Sequence, residues 1–330
     1  MASPPAFLPL GVVAPVLFAL ATSVLLAVLY PRIRAKLLAV SPHRRRRLLL
    51  ALVFGPVVGA SALTILAFSP SLIGVLWPAL DHCQLHGPAT HPHLCLIHPP
   101  ARGASAWAFL VVGAVLGAAL LLALQQLLRL VVASTLVRRL SRFARHEPTL
   151  DAEIFESRAP VALTVGALDR RVLLSTGLVD GITAQQLAIV MAHERHHASS
   201  NDPFWRGVAA FAAVVHLPWT RRLLLADLHL ATEQACDEAA AELIGSRPLV
   251  ARTILEVSRR LQGLEQKPQP AAVAFALHHV IARVESLLVE PPAARSGKTL
   301  RWLWLMPPAA VVLAEPFHHY AETLLGILSK

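Results

Sequence analysis

The stretch "MAHERHHASSND", residues 191–202, places three histidines and a glutamate within five positions of a largely apolar, basic chain. His193 and His197 are four residues apart, so on a helix they project from one face, as two ligands of a tetrahedral zinc must. Glu194 follows the first of them, where a carboxylate can accept a proton from water at the metal. His196 falls outside this pattern and is expected to be a solvated neighbour. The alternative is a helix whose polar face happens to be rich in histidine.

The segments around this stretch predict a helix preceded by a β-hairpin. Thr183 and Gln186 have the capping-box spacing ahead of an apolar run, which predicts a helix over 184–199. Upstream, 161–165 and 172–175 read as two short strands joined by the turn "GALD". If the first strand forms an edge beside the cleft, it could hold an extended substrate through main-chain hydrogen bonds.

A second polar motif, "EQACD", lies in the helical run 221–245, which ends at a glycine stop. Glu233 and Asp237 are again four apart on one face. If this helix packs antiparallel to the first, Glu233 can complete a zinc site and Asp237 can hydrogen-bond the free ring nitrogen of a ligand histidine. The alternative is that both acids are ordinary exposed helix residues.

The composition predicts a membrane protein with a soluble part. Of 330 residues, 55% are hydrophobic and 15% charged, with a mean hydropathy of +0.56, and three segments are long and apolar enough to span a bilayer. A last apolar run is expected to form a fourth span although two prolines interrupt it. The predicted divisions are a first span at 1–30, a basic loop at 31–47, a second span at 48–68, an outer loop at 69–105, a third span and its exit at 106–136, a catalytic domain at 137–298, and a fourth span with a short tail at 299–330.

Basic residues orient these spans. They concentrate in the loop 31–47 and at the exit of the third span, whereas the N-terminal tail and the loop 69–105 carry almost none. The positive-inside rule then predicts an outer N-terminus and a cytoplasmic catalytic domain in a multi-pass plasma membrane protein. The formal charge of +10 is thus mostly explained by topology. No nucleic-acid binding is expected, because the arginines cluster at span ends without interleaved aromatics.

The outer loop contains Cys83 and Cys95, close enough in sequence to form a disulfide in an oxidising compartment. Several histidines surround them. A solvated, proline-bent loop is favoured over a metal sensor, because zinc-finger spacing is absent. Cys236 falls in the catalytic domain and is expected to be a free thiol.

The segments "HERHHASSNDP", "LPW" and "EQACDEAA" together resemble bacterial membrane zinc peptidases of the BlaR/MecR type and are more distantly similar to the HtpX and CAAX prenyl protease group. The resemblance covers about 130–290. It implies one zinc ion per chain and Glu194 as general base. It further implies three zinc ligands, namely His193, His197 and Glu233. Two carboxylates, Asp202 and Asp237, would support them.

The resemblance implies a mainly α membrane protein with three to four transmembrane helices and a cytoplasmic α+β zincin-like metallopeptidase domain carrying a short edge β-hairpin. The expected activity is hydrolysis of a cytoplasmic or membrane-near protein, such as a transcriptional repressor, in signalling. A β-lactam receptor is not expected, since no outer penicillin-binding domain follows the last span. The alternative function is a non-catalytic zinc-binding sensor or scaffold, whose structural zinc would have to recruit Cys236.

Three side chains could supply the donor that stabilises the oxyanion of an attacked peptide, namely His216, His229 and Arg283. The sequence alone does not distinguish among these three donors. The stretch 204–219 contains Arg206 and His216, which favours a buried or membrane-skimming helix over a further span.

Overall fold

Three long helices make up most of the apolar part of the chain that the structure describes. The computed structural model describes residues 7–80, 106–166, 169–264, 270–289, 314 and 316–323. Helices α1 (Phe7–Leu38), α2 (Pro42–Leu76) and α3 (Ala106–Phe143) contain stretches long and apolar enough to cross a membrane. The prediction of a mainly α fold with three helices capable of spanning a membrane is therefore confirmed, while their placement in a membrane and the cytoplasmic orientation stay predictions.

The membrane helices extend beyond the predicted spans. The segment 31–47, predicted as a loop, is helical except near residues 39–41, since α1 continues to Leu38 and α2 begins at Pro42. Proline suits the first turn of a helix, where its missing N–H has no helical partner to lose. The basic residues of this segment therefore lie mostly on helices. Cys83 and Cys95 lie outside the described residues.

Near the end of the chain, residues 316–323 are helical. Ala321 packs in one apolar cluster with Val13 and Ala14 of α1 and Ala67 of α2. The rest of the predicted fourth span, apart from residue 314, lies outside the described residues.

A four-stranded sheet follows α3. Its strands are β1 (Arg145–Glu147), β2 (Ala152–Phe155), β3 (Ala162–Val165) and β4 (Arg171–Ser175), in the order β1-β2-β4-β3. The predicted hairpin corresponds to β3 and β4, which pair antiparallel, and β3 lies at an edge as expected. Strands β1 and β2 were not predicted; β2 pairs parallel to β4.

Six helices complete the predicted catalytic domain among the described residues. They are α4 (Thr176–Val179), α5 (Ala184–Ser199), α6 (Asp202–Ala212), α7 (Pro218–Ile244), α8 (Arg247–Leu264) and α9 (Pro270–Leu288). Both hydrogen bonds of the predicted capping box at Thr183 and Gln186 are present at the start of α5. Helix α7 ends at Ile244 and is capped by Gly245, whose φ of 75° is left-handed and suits glycine.

The predicted catalytic domain shares a hydrophobic core with the long apolar helices α1 and α2. Tyr30 of α1 and Val53 of α2 are buried with Ala209 of α6 and Leu224 of α7. Helix α6 includes the first part of the stretch 204–219 and contributes Ala209 to this shared core. Because these apolar side chains pack against one another, the domain is held directly against α1 and α2 and is not joined to them by a flexible linker alone.

Candidate metal centre

Three side chains from α5 and α7 converge on one point. The Nε2 atoms of His193 and His197 lie 3.1 Å apart, and the two carboxylate oxygens of Glu233 each lie 3.6 Å from one of these nitrogens. Ligand atoms about 2.0–2.1 Å from a tetrahedral zinc are separated by about 3.3–3.4 Å. The spacing and the N, N, O donor set therefore fit a single zinc ion.

The other ring nitrogen of each histidine meets a buried carboxylate. Asp237 Oδ1 lies 2.9 Å from His193 Nδ1, and Asp202 Oδ2 lies 2.8 Å from His197 Nδ1. A proton donated from Nδ1 leaves the lone pair of Nε2 free to face the convergence point. The structure thus brings together all five of the residues that the sequence proposed as ligands or supports.

Arg283 of α9 balances the negative charge of α7. Its guanidinium donates two hydrogen bonds of 2.7 Å to the carboxylate of Asp237 and lies 3.2 Å from Glu233. Burial alone would raise the pKa of both carboxyls. For Glu233, the His193 hydrogen bond and Arg283 outweigh burial and hold the pKa well below its usual range; for Asp237, Arg283 is the main opposing cause and its pKa is lowered.

The same carboxylates act on His193. Burial disfavours the imidazolium, but hydrogen bonds to Asp237 and Glu233 outweigh burial and raise the pKa of His193 to about 9. The pocket therefore favours a positive charge at this position. A metal cation meets that demand and would compete with the proton for the ring nitrogen.

Glu194 lies beside the convergence point with only 7% of its surface exposed. The hydroxyl of Thr164, on edge strand β3, is 2.8 Å from Glu194 Oε2 and also 2.8 Å from the Glu194 backbone oxygen. This contact orients the carboxylate. Thr164 was missed in the sequence because a single threonine in a short strand carries no signal of a partner 30 positions away.

Cys236 also approaches the histidines, and His193, His197 and Cys236 could form a three-residue metal cluster. Its sulfur, however, lies 3.3 Å from His197 Nδ1, the nitrogen that already meets Asp202. Burial first, and the neighbouring carboxylates next, raise the pKa of the Cys236 thiol, which disfavours the thiolate that a metal needs. Glu233 is therefore the better third donor.

The three candidate oxyanion donors are placed differently. His216 is buried and its Nε2 lies 2.8 Å from the Val53 carbonyl oxygen, away from the residues that line the site. Arg283 is held by two carboxylates. His229 lines a small cavity with His193 and Glu194, and burial together with Arg206 and other cations lowers its pKa despite the opposing effect of Glu233.

Two cavities meet at Glu194. The larger, about 670 Å³, is lined mainly by aliphatic side chains that include Val161, Val190 and Val257. The smaller, about 180 Å³, lies on the side of His197 and includes His229 and Arg206, a cationic residue that the sequence analysis did not assign to the site. Strand β3 borders both, so an extended chain laid along β3 would pass from one cavity to the other.

Comparison with known proteins bears on the same region. Residues 128–261 match the profile of peptidase family M48. This segment, less than half of the chain, is therefore similar to the M48 peptidases. M48 peptidases are metallopeptidases that generally use zinc, and the matched segment contains α5 and α7 with all the proposed ligands. No curated protein and no solved structure gives a significant match.

The ion pairs of Arg283 with Asp237 and Glu233 predict an effect on stability. Replacing Arg283 with Met leaves Asp237 and Glu233 without their guanidinium partner. Because the Asp237 side chain is 1% exposed, we expect the metal-free protein to lose about 3 kcal/mol of unfolding free energy. Thermal unfolding of detergent-purified protein in chelator measures this loss.

The matched control is Arg260→Met. Arg260 pairs with Glu256 on an exposed helix face, and such pairs contribute about 0.3–0.5 kcal/mol. Equal losses in the two variants would contradict the assigned role of Arg283.

Proposed function

We propose that this protein is a membrane-anchored zinc-dependent endopeptidase. His193, His197 and Glu233 would bind the ion and Glu194 would act as general base. The observation that carries the proposal is the convergence of the three donors at 3.1–3.6 Å with the Glu194 carboxylate beside them. The membrane-length helices and the M48 match support a membrane-associated metallopeptidase.

The residues divide the chemistry among them. When bound, zinc supplies a Lewis acid that polarises the scissile carbonyl and lowers the pKa of coordinated water. Glu194 accepts the proton of the attacking water and returns it to the leaving amine, since one carboxylate can serve as base and then acid. Thr164 fixes the orientation of that carboxylate. His229 and Arg206, on the smaller cavity, are the donors placed to stabilise the oxyanion.

The substrate is proposed to be an extended polypeptide. Strand β3 pairs with β4 along one edge only, so its other row of main-chain groups can pair with a substrate strand. The larger cavity would receive an apolar side chain next to the scissile bond. The BlaR/MecR resemblance and the basic span ends favour a cytoplasmic or membrane-near protein as substrate, with a transcriptional repressor as the signalling case.

Replacing Glu194 with Gln removes the proposed base while keeping the size of the side chain. We expect kcat/KM to fall by about 10²–10⁴-fold, the usual contribution of a general base, with zinc content and thermal stability retained. The assay uses the full chain in detergent and a library of internally quenched peptides. Glu242→Gln, on the exposed end of α7, is the control that should cleave like wild type. Undiminished cleavage by the Glu194 variant would refute the assignment of the base.

Replacing Ser258 with Trp fills part of the larger cavity, which Ser258 lines. We expect kcat/KM for peptides with Leu or Phe beside the scissile bond to fall by about 10–100-fold, the scale of hydrophobic-pocket discrimination, while peptides with Ala there change little. Arg259→Trp, one position along on the exposed face, is the matched control. A uniform loss across both peptide sets would argue against this cavity as the specificity pocket.

A further inference from the structure

The first turn of membrane helix α2 lies inside the catalytic domain. It carries part of the basic run 44–47, but these arginines are not equivalent. Arg45 is buried and the Arg46 side chain is only 14% exposed, whereas Arg47 is exposed. Burying a guanidinium is costly unless charged or polar partners compensate, so the contacts of Arg45 and Arg46 indicate what this turn holds in place.

Arg46 is linked to a proposed metal ligand through a single carboxylate. Its guanidinium forms an ion pair with Asp202 Oδ1 and donates a 3.3 Å hydrogen bond to the backbone oxygen of Ser200. The second oxygen of Asp202 meets His197 Nδ1 at 2.8 Å. Asp202 is 3% exposed, so Arg46 and His197 together engage its two oxygens in a site that water hardly reaches.

Arg45, the preceding residue, reaches the opposite side of the centre. It hydrogen-bonds the side-chain oxygen of Gln234, whose amide nitrogen donates to the backbone oxygen of Ala282 at 2.7 Å. Gln234 follows the proposed ligand Glu233, and Ala282 precedes Arg283. Consecutive residues of α2 therefore contact the elements on both sides of the metal centre.

We propose that Arg46 is a positioning residue of the zinc site, through which membrane helix α2 holds His197 in its ligating orientation. The inference rests on the proposed function, since it takes His197 Nε2 as a zinc ligand. The ion pair with Arg46 keeps Asp202 fixed beside Nδ1 of the His197 imidazole. Asp202 in turn keeps the Nε2 lone pair of His197 directed at the point where the donors of His193 and Glu233 converge. A displacement of the first turn of α2 would release that orientation and weaken metal retention and turnover.

The experiment measures zinc affinity by chelator competition, together with kcat, KM and thermal unfolding, on the full chain in detergent. Arg46→Ala is expected to weaken zinc binding and lower kcat by about 10-fold, the lower end of the 10–100-fold range for partners of metal ligands. KM should change little because Arg46 does not line the larger cavity. Arg46→Lys should recover part of the loss, and Arg47→Ala should match wild type.

Asp202→Asn, alone and combined with Arg46→Ala, tests the route. If Arg46 acts through Asp202, the double variant should lose little more zinc affinity than Asp202→Asn alone, because residues in one network are not additive. Wild-type zinc affinity and kcat in Arg46→Ala, or additive losses in the double variant, would overturn the inference. A wild-type protein that binds no zinc would instead refute the proposed function, so the two failures are distinguishable.

Discussion

The structure depends on two imidazoles of α5, those of His193 and His197, which face the carboxylates of Glu233 and Asp237 on α7. Burial of Glu233 and Asp237 would be unfavourable without nearby positive charge, and Arg283 supplies part of it. The ring nitrogens of His193 and His197 that face Glu233 remain directed at one point. Because the opposite nitrogens are engaged by Asp237 and Asp202, neither ring can turn without breaking a buried hydrogen bond. This arrangement makes a compact cation the natural occupant and places Glu194 at its edge.

The membrane helices are part of this arrangement rather than an attachment to it. Asp227 of α7 accepts hydrogen bonds from Tyr30 and Arg34 of α1, and α2 contacts α5, α6 and α7 through its first turn and its buried apolar face. Helix α7 is fixed to α9 around Glu233 and Asp237 and, nearer its start, to α1 through Asp227. In the proposed peptidase, the metal ligands would therefore lie on helices that pack against the membrane-length helices.

Much of the site could be predicted because its determinants are local. His193, Glu194 and His197 share one helical face, so their spacing determines that they project together. Thr183 marks the start of α5, and Gly245 marks the end of α7. The contacts of Arg46 with Asp202 and of Thr164 with Glu194 could not be predicted, since they join positions 156 and 30 residues apart without a periodic signal. The positive-inside rule explains the basic run 44–47 by topology, yet Arg45 is buried and Arg46 is largely buried against residues of the site. Strands β1 and β2 were missed because β1 consists of three polar residues and neither strand adjoins a glycine-containing turn, the signal that marked β3 and β4.

The central claim is that one zinc ion is held by His193, His197 and Glu233 and that Glu194 is left free for catalysis. Elemental analysis of detergent-purified protein tests it directly by comparing wild type with Glu233→Ala and Glu194→Gln, with Glu242→Ala as control. The account predicts one zinc per chain in wild type, in the control and in Glu194→Gln, and a lost or weakened content in Glu233→Ala. A wild-type protein without zinc, or a zinc content indifferent to Glu233, would contradict it.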